Sequence, residues 1–575
     1  MKNLRRAFAL ALIAIVVVSC GKERTREEKV SAMIQQVDSP FFVASMNLQT
    51  LMDKSEVMKE GTIPFTYYQV ISFFLDVELT GIDYGTDVQV IVGEGESFTP
   101  NFYGIFKVND QEKFKGLLET EANAEVKEKD GMNYAIKDSE HYCLVWNDDM
   151  AMISSIPINL AAMFTGKGGK EGEKMVDKNI AIINAATEGE IDEDWKTFLT
   201  KDADIAMHYD GEGFYDYMTM MSMGEEEELE KMKELNEGIS MDMFINFNNG
   251  SADFEIISDL SDELREQWAF LGEEGASDKM LTYGKSENPI LSGSYKFGVE
   301  GALNYVENMF SEEYENMEED AEKVGLSIED LRNSTSGEFV YMIDEVKQVS
   351  RTVDFGYGDP FEVKSTEPIF GFALGLKDNS YIKSKMEEMM IAQSTDGAEA
   401  EGMPEIKVWE NGVVQIDEAL IYLGEDIMFA SNDTAWVNLI AAGQGVKINN
   451  PNGVINVNPI GMYVQFAKLA NVGELQDQSE MIALFKDLTL SMNLDGGSIH
   501  LNFNETDQNS LKLITVAVGE VMADFEKMSN PDMEAELEEA VKQTEDAFGE
   551  LEEDLEEGLN ELGDELEDAF DELNK

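Results

Sequence analysis

Hydrophobic and polar residues alternate along many short stretches of this chain. The segment 241–247, Met-Asp-Met-Phe-Ile-Asn-Phe, has an apolar residue at every second position. A period of two places successive side chains on opposite faces of a β-strand, and one of those faces then meets water. Helical segments are predicted between such strands, at 111–120 and at 379–390. The pattern predicts an α+β fold, in which antiparallel sheets carry helices packed on one face.

Two long parts of the chain follow the same order of elements. A strand at 100–110 and a strand at 368–378 are each followed by a helix, a tight Asp-Gly or Asn-Gly turn and two further strands. Hairpins at 244–256 and 490–503 form a second matching pair, at an offset of about 250 to 280 residues. The preserved order predicts a duplicated unit of two lobes. The alternative is chance similarity between common strand–helix–hairpin patterns.

The N-terminus has the parts of a bacterial export signal. Lys2, Arg5 and Arg6 precede an apolar run over 7–18, and the sequence Val-Val-Ser-Cys at 17–20 resembles a lipobox. That resemblance implies that Cys20 is lipidated and becomes the first residue of a mature chain held by acyl chains. The residue after Cys20 is glycine rather than aspartate, which by resemblance to Gram-negative sorting signals indicates the outer membrane. A plain signal peptide or a short signal anchor, with an incidental cysteine, is the alternative.

The C-terminal segment 529–575 has a different composition from the rest of the chain. Pro531 suits the first turn of a helix, and the apolar residues that follow it are mostly three or four positions apart. Between Asp532 and Lys575 there are 20 acidic residues and two lysines. The segment is predicted to form a long acidic amphipathic helix that self-associates or docks on the body. A partner-binding helix and a disordered acidic tail are the alternatives.

Composition and charge exclude several classes of protein. The formal net charge of −73 disfavours nucleic acid as a partner, because phosphate is repelled by an acidic surface. Three histidines and two cysteines are too few for a His/Cys-rich metal centre or a disulfide framework. An apolar fraction of 43% is nevertheless sufficient for folded cores. The chain has no run of 18 or more apolar residues, so no transmembrane helix is predicted.

No catalytic, cofactor-binding or metal site is predicted from the remaining candidates. His141 and Cys143 share a face of a predicted strand, but a buried cysteine beside an incidental histidine explains them better than a nucleophile pair. His208 and His500 lie on different strands of the pattern and are not paired as ligands. The acidic residues of 202–204 and 253–255 lack the spacing of a calcium loop. The methionines of 218–223 are interpreted as core residues rather than copper ligands.

The lipobox, the repeated body and the acidic tail together resemble a family of large lipoproteins of Bacteroidota, over residues 20–530. The resemblance implies a location in the cell envelope and no particular activity, so no catalytic residue is transferred from it. Our first hypothesis is a lipid-anchored, non-enzymatic binding or scaffold module. It has no cofactor, it contacts the membrane through Cys20, and its C-terminal helix mediates self-association or binds a protein partner. The second hypothesis is an envelope hydrolase that uses carboxylate acid/base chemistry.

These interpretations divide the chain into five parts. The predicted parts are a signal peptide at 1–19, a charged tether at 20–39, a first α+β unit at 40–280 with lobes split near 165–200, a second unit at 285–528 with lobes split near 435–455, and the acidic helix at 529–575. Only the anchor carries a specific residue assignment, at Cys20.

Overall fold

The structure is a computed structural model, and it describes part of the chain. The described residues are 24–59, 63, 80–95, 100–120, 122–137, 141–157, 171–215, 236–309, 314, 317, 327–353, 361–385, 387–388, 406–408, 412–416, 419–469 and 479–528. Cys20, the methionines of 218–223 and the predicted helix at 529–575 lie outside them. The chain divides into two compact units, Met1–Glu56 with Ser72–Leu513, and Val57–Ile71 with Ile514–Lys575. The sheet and the candidate site lie in the first unit.

The described strands are short in the first half of the chain and include two long ones in the second half. In chain order they are β1 (Pro40–Met46), β2 (Ile82–Asp83), β3 (Val88–Gly93), β4 (Asn101–Val108), β5 (Val126–Lys129), β6 (Met132–Lys137), β7 (Tyr142–Trp146), β8 (Ala151–Ser155), β9 (Ile205–Asp210), β10 (Ile239–Asn248), β11 (Ser251–Leu260), β12 (Leu291–Lys296), β13 (Thr335–Val353), β14 (Phe361–Leu376), β15 (Ile406–Val408), β16 (Val413–Ile416), β17 (Ala419–Leu423), β18 (Ile427–Ser431), β19 (Ile460–Gln465), β20 (Phe485–Asn493) and β21 (Gly496–Phe503).

All of these strands except β2 belong to one antiparallel sheet. From edge to edge the order is β5-β6-β7-β8-β4-β3-β1-β9-β10-β11-β21-β20-β19-β12-β13-β14-β18-β17-β16-β15. The short strand β2 pairs with β4 in a separate ladder. Among the described strands, β5 and β15 each pair with one neighbour, so they stand at the two ends of this order. The predicted α+β class with antiparallel strands is confirmed.

The strand order is the same on both sides of the central pair β11–β21. Outward from β11 the strands are β10, β9, β1, β3, β4, β8, β7, β6 and β5. Outward from β21 they are β20, β19, β12, β13, β14, β18, β17, β16 and β15. Each strand of the first series therefore has a counterpart at the same place in the second.

The register of the central pair is symmetric as well. Ser251 begins β11 and pairs with Asn502, whereas Gly496 begins β21 and pairs with Ile257. The two ends of the ladder are thus equally far from the two hairpin turns, and Phe254 opposite Ile499 marks the centre. The pairing of β11 with β21 is therefore symmetric about Phe254 and Ile499.

The helices are mostly shorter than three turns. They are α1 (Arg26–Ile34), α2 (Leu48–Ser55), α3 (Gln111–Thr120), α4 (Glu171–Glu188), α5 (Glu193–Leu199), α6 (Asp262–Gln267), α7 (Val299–Met309), α8 (Ile328–Ser334), α9 (Thr434–Ala441), α10 (Phe466–Leu469), α11 (Ser479–Ile482) and α12 (Ser510–Met528), with short 3₁₀ helices at Ala269–Leu271, Met280–Tyr283 and Pro451–Gly453. Residues 380–385 are also helical. No described helix has both the length and the apolar character needed to cross a membrane.

Helices cover both faces of the outer strands, so the prediction of one covered face is wrong. Val176 of α4 packs in one core with Val145 of β7. Phe114 of α3 packs in another core with Leu144 and Trp146 of the same strand. Successive strand side chains point to opposite faces, and here both sets are apolar. Each face therefore needs its own cover.

The second half repeats this arrangement. Trp436 of α9 packs with Phe429 of β18 in one core. The next residue along that strand towards its start, Met428, packs against a core that contains Ile382 of the helical segment 380–385. The helix that follows β18 and the helix that follows β14 thus lie on opposite faces, as α4 and α3 do in the first half.

Residues 24–39 were expected to continue a charged tether, and this expectation is wrong. Thr25 and Glu28 form a reciprocal capping box that starts α1. Val30, Met33 and Ile34 are three and four positions apart, and all three are buried in the core of the first half. The charged residues of α1 are only partly exposed, and two of them bind the body: Arg26 donates to the Asp87 carbonyl at 2.8 Å and Lys29 donates to the Asp149 carboxylate at 2.6 Å. The folded body therefore begins close to Cys20.

The predicted Asp130-Gly131 turn is confirmed between β5 and β6. Both residues have positive φ, 52° and 77°, as a two-residue hairpin loop of type I′ requires. Such a turn matches the right-handed twist of the strands on either side. The dipeptide therefore sets the register of the outer edge of the sheet.

Candidate functional site

A groove lies between α5 and the strands β9, β10 and β11. Its volume is about 500 Å³, within the usual range for a small-molecule site. The lining residues come from α5, its flanks and the strands β9, β10 and β11; they are Asp192, Asp194, Trp195, Thr197, Phe198, Lys201, His208, Ser240, Asp242, Phe244, Ile257 and Asp259. The site therefore combines aromatic side chains with several carboxylates.

The first wall of the groove is fixed by the start of α5. The Asp192 carboxylate accepts hydrogen bonds from the backbone N–H of Asp194 at 2.8 Å and of Trp195 at 3.1 Å. Ser31 of α1 binds the backbone of Asp192, since its hydroxyl donates to the carbonyl at 2.7 Å. Burial acts to raise the pKa of Asp192, but the N–H donors outweigh it and hold the pKa below its usual range. Asp192 is thus the N-cap of α5 and contributes a carboxylate to the groove.

Aromatic rings form the floor below α5. The ring of Trp195 lies edge-on to His208, with centroids 4.6 Å apart. The Phe198 ring packs against two further rings, with centroid separations of 6.1 Å to His208 and 5.9 Å to Phe244. Phe198 and Phe244 are buried in the core, so their rings are held by packing on several sides. The groove therefore has a rigid apolar base.

His208 and Asp242 form a pair inside the groove. They are direct cross-strand neighbours on β9 and β10, and His208 Nδ1 lies 2.8 Å from Asp242 Oδ1. A carboxylate hydrogen-bonded to one imidazole nitrogen fixes the orientation of the ring. Both side chains are partly exposed, so a ligand in the groove can contact them.

A resident cation lies on the opposite side of the floor. The Lys201 ammonium is 5.0 Å from the centroid of the Phe244 ring and 2.9 Å from Glu255 Oε1. A cation over an aromatic face is attracted by the negative charge of the ring face. The groove thus holds a lysine side chain of this chain between a ring and a carboxylate.

The far end of the floor is not covered by α5. Glu255, Ile257 and Asp259 lie at alternate positions of β11 and share one face of the strand. Ile257 is 42% exposed, although it lines the cavity beside Phe244. An uncovered β-branched side chain in a groove is the kind of surface that a ligand shields from water.

The structure does not bring the histidine and cysteine candidates together. His141 lies in the turn before β7, with a positive φ of 54°, rather than in the strand itself. The Cys143 thiol is buried against Ser154 Oγ at 3.3 Å. Burial raises the pKa of Cys143 to about 11, so the thiol stays protonated and is a poor nucleophile. His500 binds Asp253 across the β11–β21 pair at 2.8 Å, away from the groove that contains His208.

The acidic segments considered for calcium are engaged by protein donors. Asp204 accepts from Lys54 Nζ at 2.5 Å and from the Phe247 N–H at 2.7 Å. Asp253 accepts from His500 and from Asn248 Nδ2. Within the described ranges, no group of three or more histidine, cysteine, aspartate or glutamate side chains has the arrangement of a metal site.

No local sequence pattern predicts the groove. Its residues are separated along the chain, from Asp192 to Asp259, and only the sheet brings them together. One local signal was available: Trp195 and Phe198 are three positions apart behind an aspartate cap, which indicates a short helix with an aromatic face. The pairing of that face with His208 depends on the register of β9.

Comparisons with known proteins give little guidance. No protein-family model matches the chain, and no curated protein matches it. Two solved structures, crystal forms I and IV of TP0453, are similar over 40% of this chain and 79% of that chain, at 10% sequence identity and a TM-score of 0.25. A likeness at that level assigns neither a fold nor a function to this chain.

Proposed function

We propose that this protein is a lipid-anchored cell-envelope binding module, without enzymatic activity, that holds a ligand in the groove beside α5. The observation that carries the proposal is the uncovered apolar floor at Ile257, which lies next to fixed charged groups in a cavity of about 500 Å³. Binding sites commonly combine an apolar surface with a few oriented polar groups. The rigid sheet below the groove would keep these groups in place without a ligand.

The same proposal includes a duplicated body. The identical strand order on both sides of β11–β21, and the symmetric register centred on Phe254 and Ile499, support descent of the two halves from one unit. An antiparallel pair of equivalent edge strands is also how two copies of one chain pair across a two-fold axis. Joining the copies in one chain removes two exposed edges, which otherwise template aggregation.

Anchoring through Cys20 would hold the body close to the membrane. The capping residue Thr25 is five residues after Cys20. Even fully extended, five residues span at most about 18 Å. The acyl chains would therefore keep the body at the membrane surface, and not on a long flexible stalk. The acidic segment 529–575 is proposed to mediate self-association or to bind a protein partner.

Replacement of the anchor cysteine tests this part of the proposal. We expect Cys20→Ala to move the protein from the membrane fraction to the soluble fraction, because a chain without acyl groups loses its main attachment. Cys143→Ala is the matched control: its thiol is buried in the body, so this variant should stay with the membrane. Cell fractionation and immunoblotting give the readout. A Cys20→Ala protein that remains membrane-bound would contradict the lipid anchor.

One observation favours the hydrolase alternative. The His208–Asp242 pair has the geometry of a positioned general base, and it faces an open groove. The alternative predicts that the purified mature chain hydrolyses a glycan or peptide substrate, and that Asp242→Asn abolishes turnover. The binding proposal predicts saturable binding with no turnover, and an Asp242→Asn variant altered in affinity alone.

A further inference from the structure

We infer that the groove recognises a ligand with a primary ammonium group next to an aromatic or aliphatic body, and that this ammonium takes the place now held by the Lys201 side chain. The inference rests on the proposed binding function and specifies its ligand class. It depends on three features of the groove: the contacts of the resident cation, the surrounding charge and the open apolar floor.

The contacts of Lys201 show what the position accepts. Its ammonium has the Phe244 ring on one side, at 5.0 Å, and the Glu255 carboxylate on another, at 2.9 Å. Ring and carboxylate together are the usual components of an ammonium site. The strands β10 and β11 hold both partners at directly opposed positions, since Phe244 pairs with Glu255. The site is therefore built into the sheet, whereas its occupant is the end of a flexible side chain.

Displacing that occupant requires little free energy. The side chains of Lys201 and Glu255 are 38% and 52% exposed. An ion pair at such exposure contributes little, because water and salt screen it. Lys201 follows the end of α5, and its four-carbon stem allows the ammonium to move into solvent. A ligand ammonium that also buries an apolar body has a net advantage over the lysine.

The charge around the place held by the Lys201 ammonium favours the binding of cations. Four aspartates line the groove, Asp192, Asp194, Asp242 and Asp259, against one lysine. With His208 neutral, the lining therefore carries a net charge of −3, from four negative groups and one positive group. Glu255 adds a further negative charge on the same face of β11. Carboxylates and phosphates are repelled by this field, whereas an ammonium is attracted to it.

The open floor fits the body of such a ligand. Ile257 and Asp259 lie two and four positions beyond Glu255 on the same face of β11, so they extend away from the cation position. Ile257 presents an exposed apolar surface there, and Trp195 borders the cavity on the side of α5. A ring attached two carbons from the ammonium can reach this surface when its nitrogen lies over Phe244.

The test uses the full mature chain and calorimetric titration with three probes of similar shape: 2-phenylethylammonium, 2-phenylethanol and 3-phenylpropionate. We expect the ammonium probe to bind at least about tenfold more tightly than the alcohol, since each 1.4 kcal/mol is a factor of ten. Lys201→Met should tighten ammonium binding by about tenfold and leave alcohol binding unchanged, because methionine keeps the stem and vacates the position. Glu255→Gln should weaken ammonium binding by about tenfold.

Two further variants locate the site. Ile257→Arg fills the floor with a bulky cation and should abolish binding of every probe. Asp53→Asn removes an exposed carboxylate outside the groove and should leave all affinities unchanged. All four positions are exposed or partly exposed, and thermal unfolding of each variant close to that of the parent confirms that the fold is intact.

The outcomes separate the inference from the function on which it rests. If the alcohol binds as tightly as the ammonium and Ile257→Arg removes both, the groove is a binding site but its ammonium specificity is wrong. If Lys201→Met leaves ammonium affinity unchanged or weakens it, the displacement of Lys201 is wrong. If no probe binds the parent chain or Lys201→Met, the inference fails together with the assignment of this groove.

Discussion

Replacement of Trp436 by alanine is expected to lower the free energy of unfolding by about 3–5 kcal/mol, the usual effect of emptying a buried indole site. Trp436 is fully buried, with its ring 5.5 Å from that of Phe429. Its indole N–H donates to the Tyr283 carbonyl at 3.0 Å. The variant would lose the packing of the ring and leave that carbonyl without its donor.

The backbone around Trp436 cannot collapse to fill the space. Gly371 of β14 faces the indole, and a Cβ at that position would lie 2.6 Å from the ring. Because β14 is held in a ladder on both sides, it cannot move towards α9 without breaking strand pairs. A partly filled cavity is therefore expected, which places the effect in the upper range for such substitutions.

Urea-induced unfolding measures the effect, and two variants serve as controls. Trp436→Phe keeps an aromatic ring in the site and should lose less than half of the alanine effect. Val457→Ala, at a position that is 57% exposed, should change the free energy of unfolding by no more than about 0.5 kcal/mol. A loss below about 1 kcal/mol for Trp436→Ala would contradict the assignment of Trp436 to this core.

Replacement of Asp204 by alanine should lower the free energy of unfolding by about 3–5 kcal/mol, because it breaks a largely buried ion pair from one side. Asp204 is 6% exposed and lies just before β9. It accepts from the Lys54 ammonium of α2 at 2.5 Å and from the Phe247 N–H of β10 at 2.7 Å. Its loss would leave the buried Phe247 N–H without its acceptor and the partly exposed Lys54 ammonium without its carboxylate partner.

The helix α2, which carries Lys54, also provides an acidic control residue for this substitution. Asp53 of α2 is exposed, and Asp53→Ala should stay within about 0.5 kcal/mol of the parent chain. The double variant with Lys54→Met and Asp204→Ala should be more stable than Asp204→Ala alone, because it removes the uncompensated ammonium. If Asp204→Ala and Asp53→Ala have equal effects in urea unfolding, the buried ion pair does not stabilise the sheet.

Local sequence signals account for the hairpins and for many of the strands. The Asp130-Gly131 and Asn249-Gly250 dipeptides lie between stretches of period two, and both become hairpin turns. A few residues are enough to specify such a turn, because a backbone position with positive φ accepts few residue types. Strand existence and local pairing were therefore accessible from the sequence.

The pairing of strands that are far apart in the sequence could not be predicted from such local patterns. Ser251 pairs with Asn502 across the centre of the sheet, and no local feature of either strand specifies the other. The groove depends on this same kind of information, since His208 and Asp242 meet only through the register of β9 and β10. The start of α1 was different: Thr25 and Glu28 have the spacing of a capping box, but the many charges around them indicated a tether.

The location of a bound ligand tests the central claim most directly. A crystal of the mature chain with 2-(4-bromophenyl)ethylammonium would place the ligand unambiguously, because bromine gives an anomalous signal. We predict one bromine position over Ile257, with the ammonium between the Phe244 ring and Glu255 and with the Lys201 side chain displaced into solvent. A ligand bound elsewhere on the molecule, or an empty groove at saturating ligand, would contradict the account.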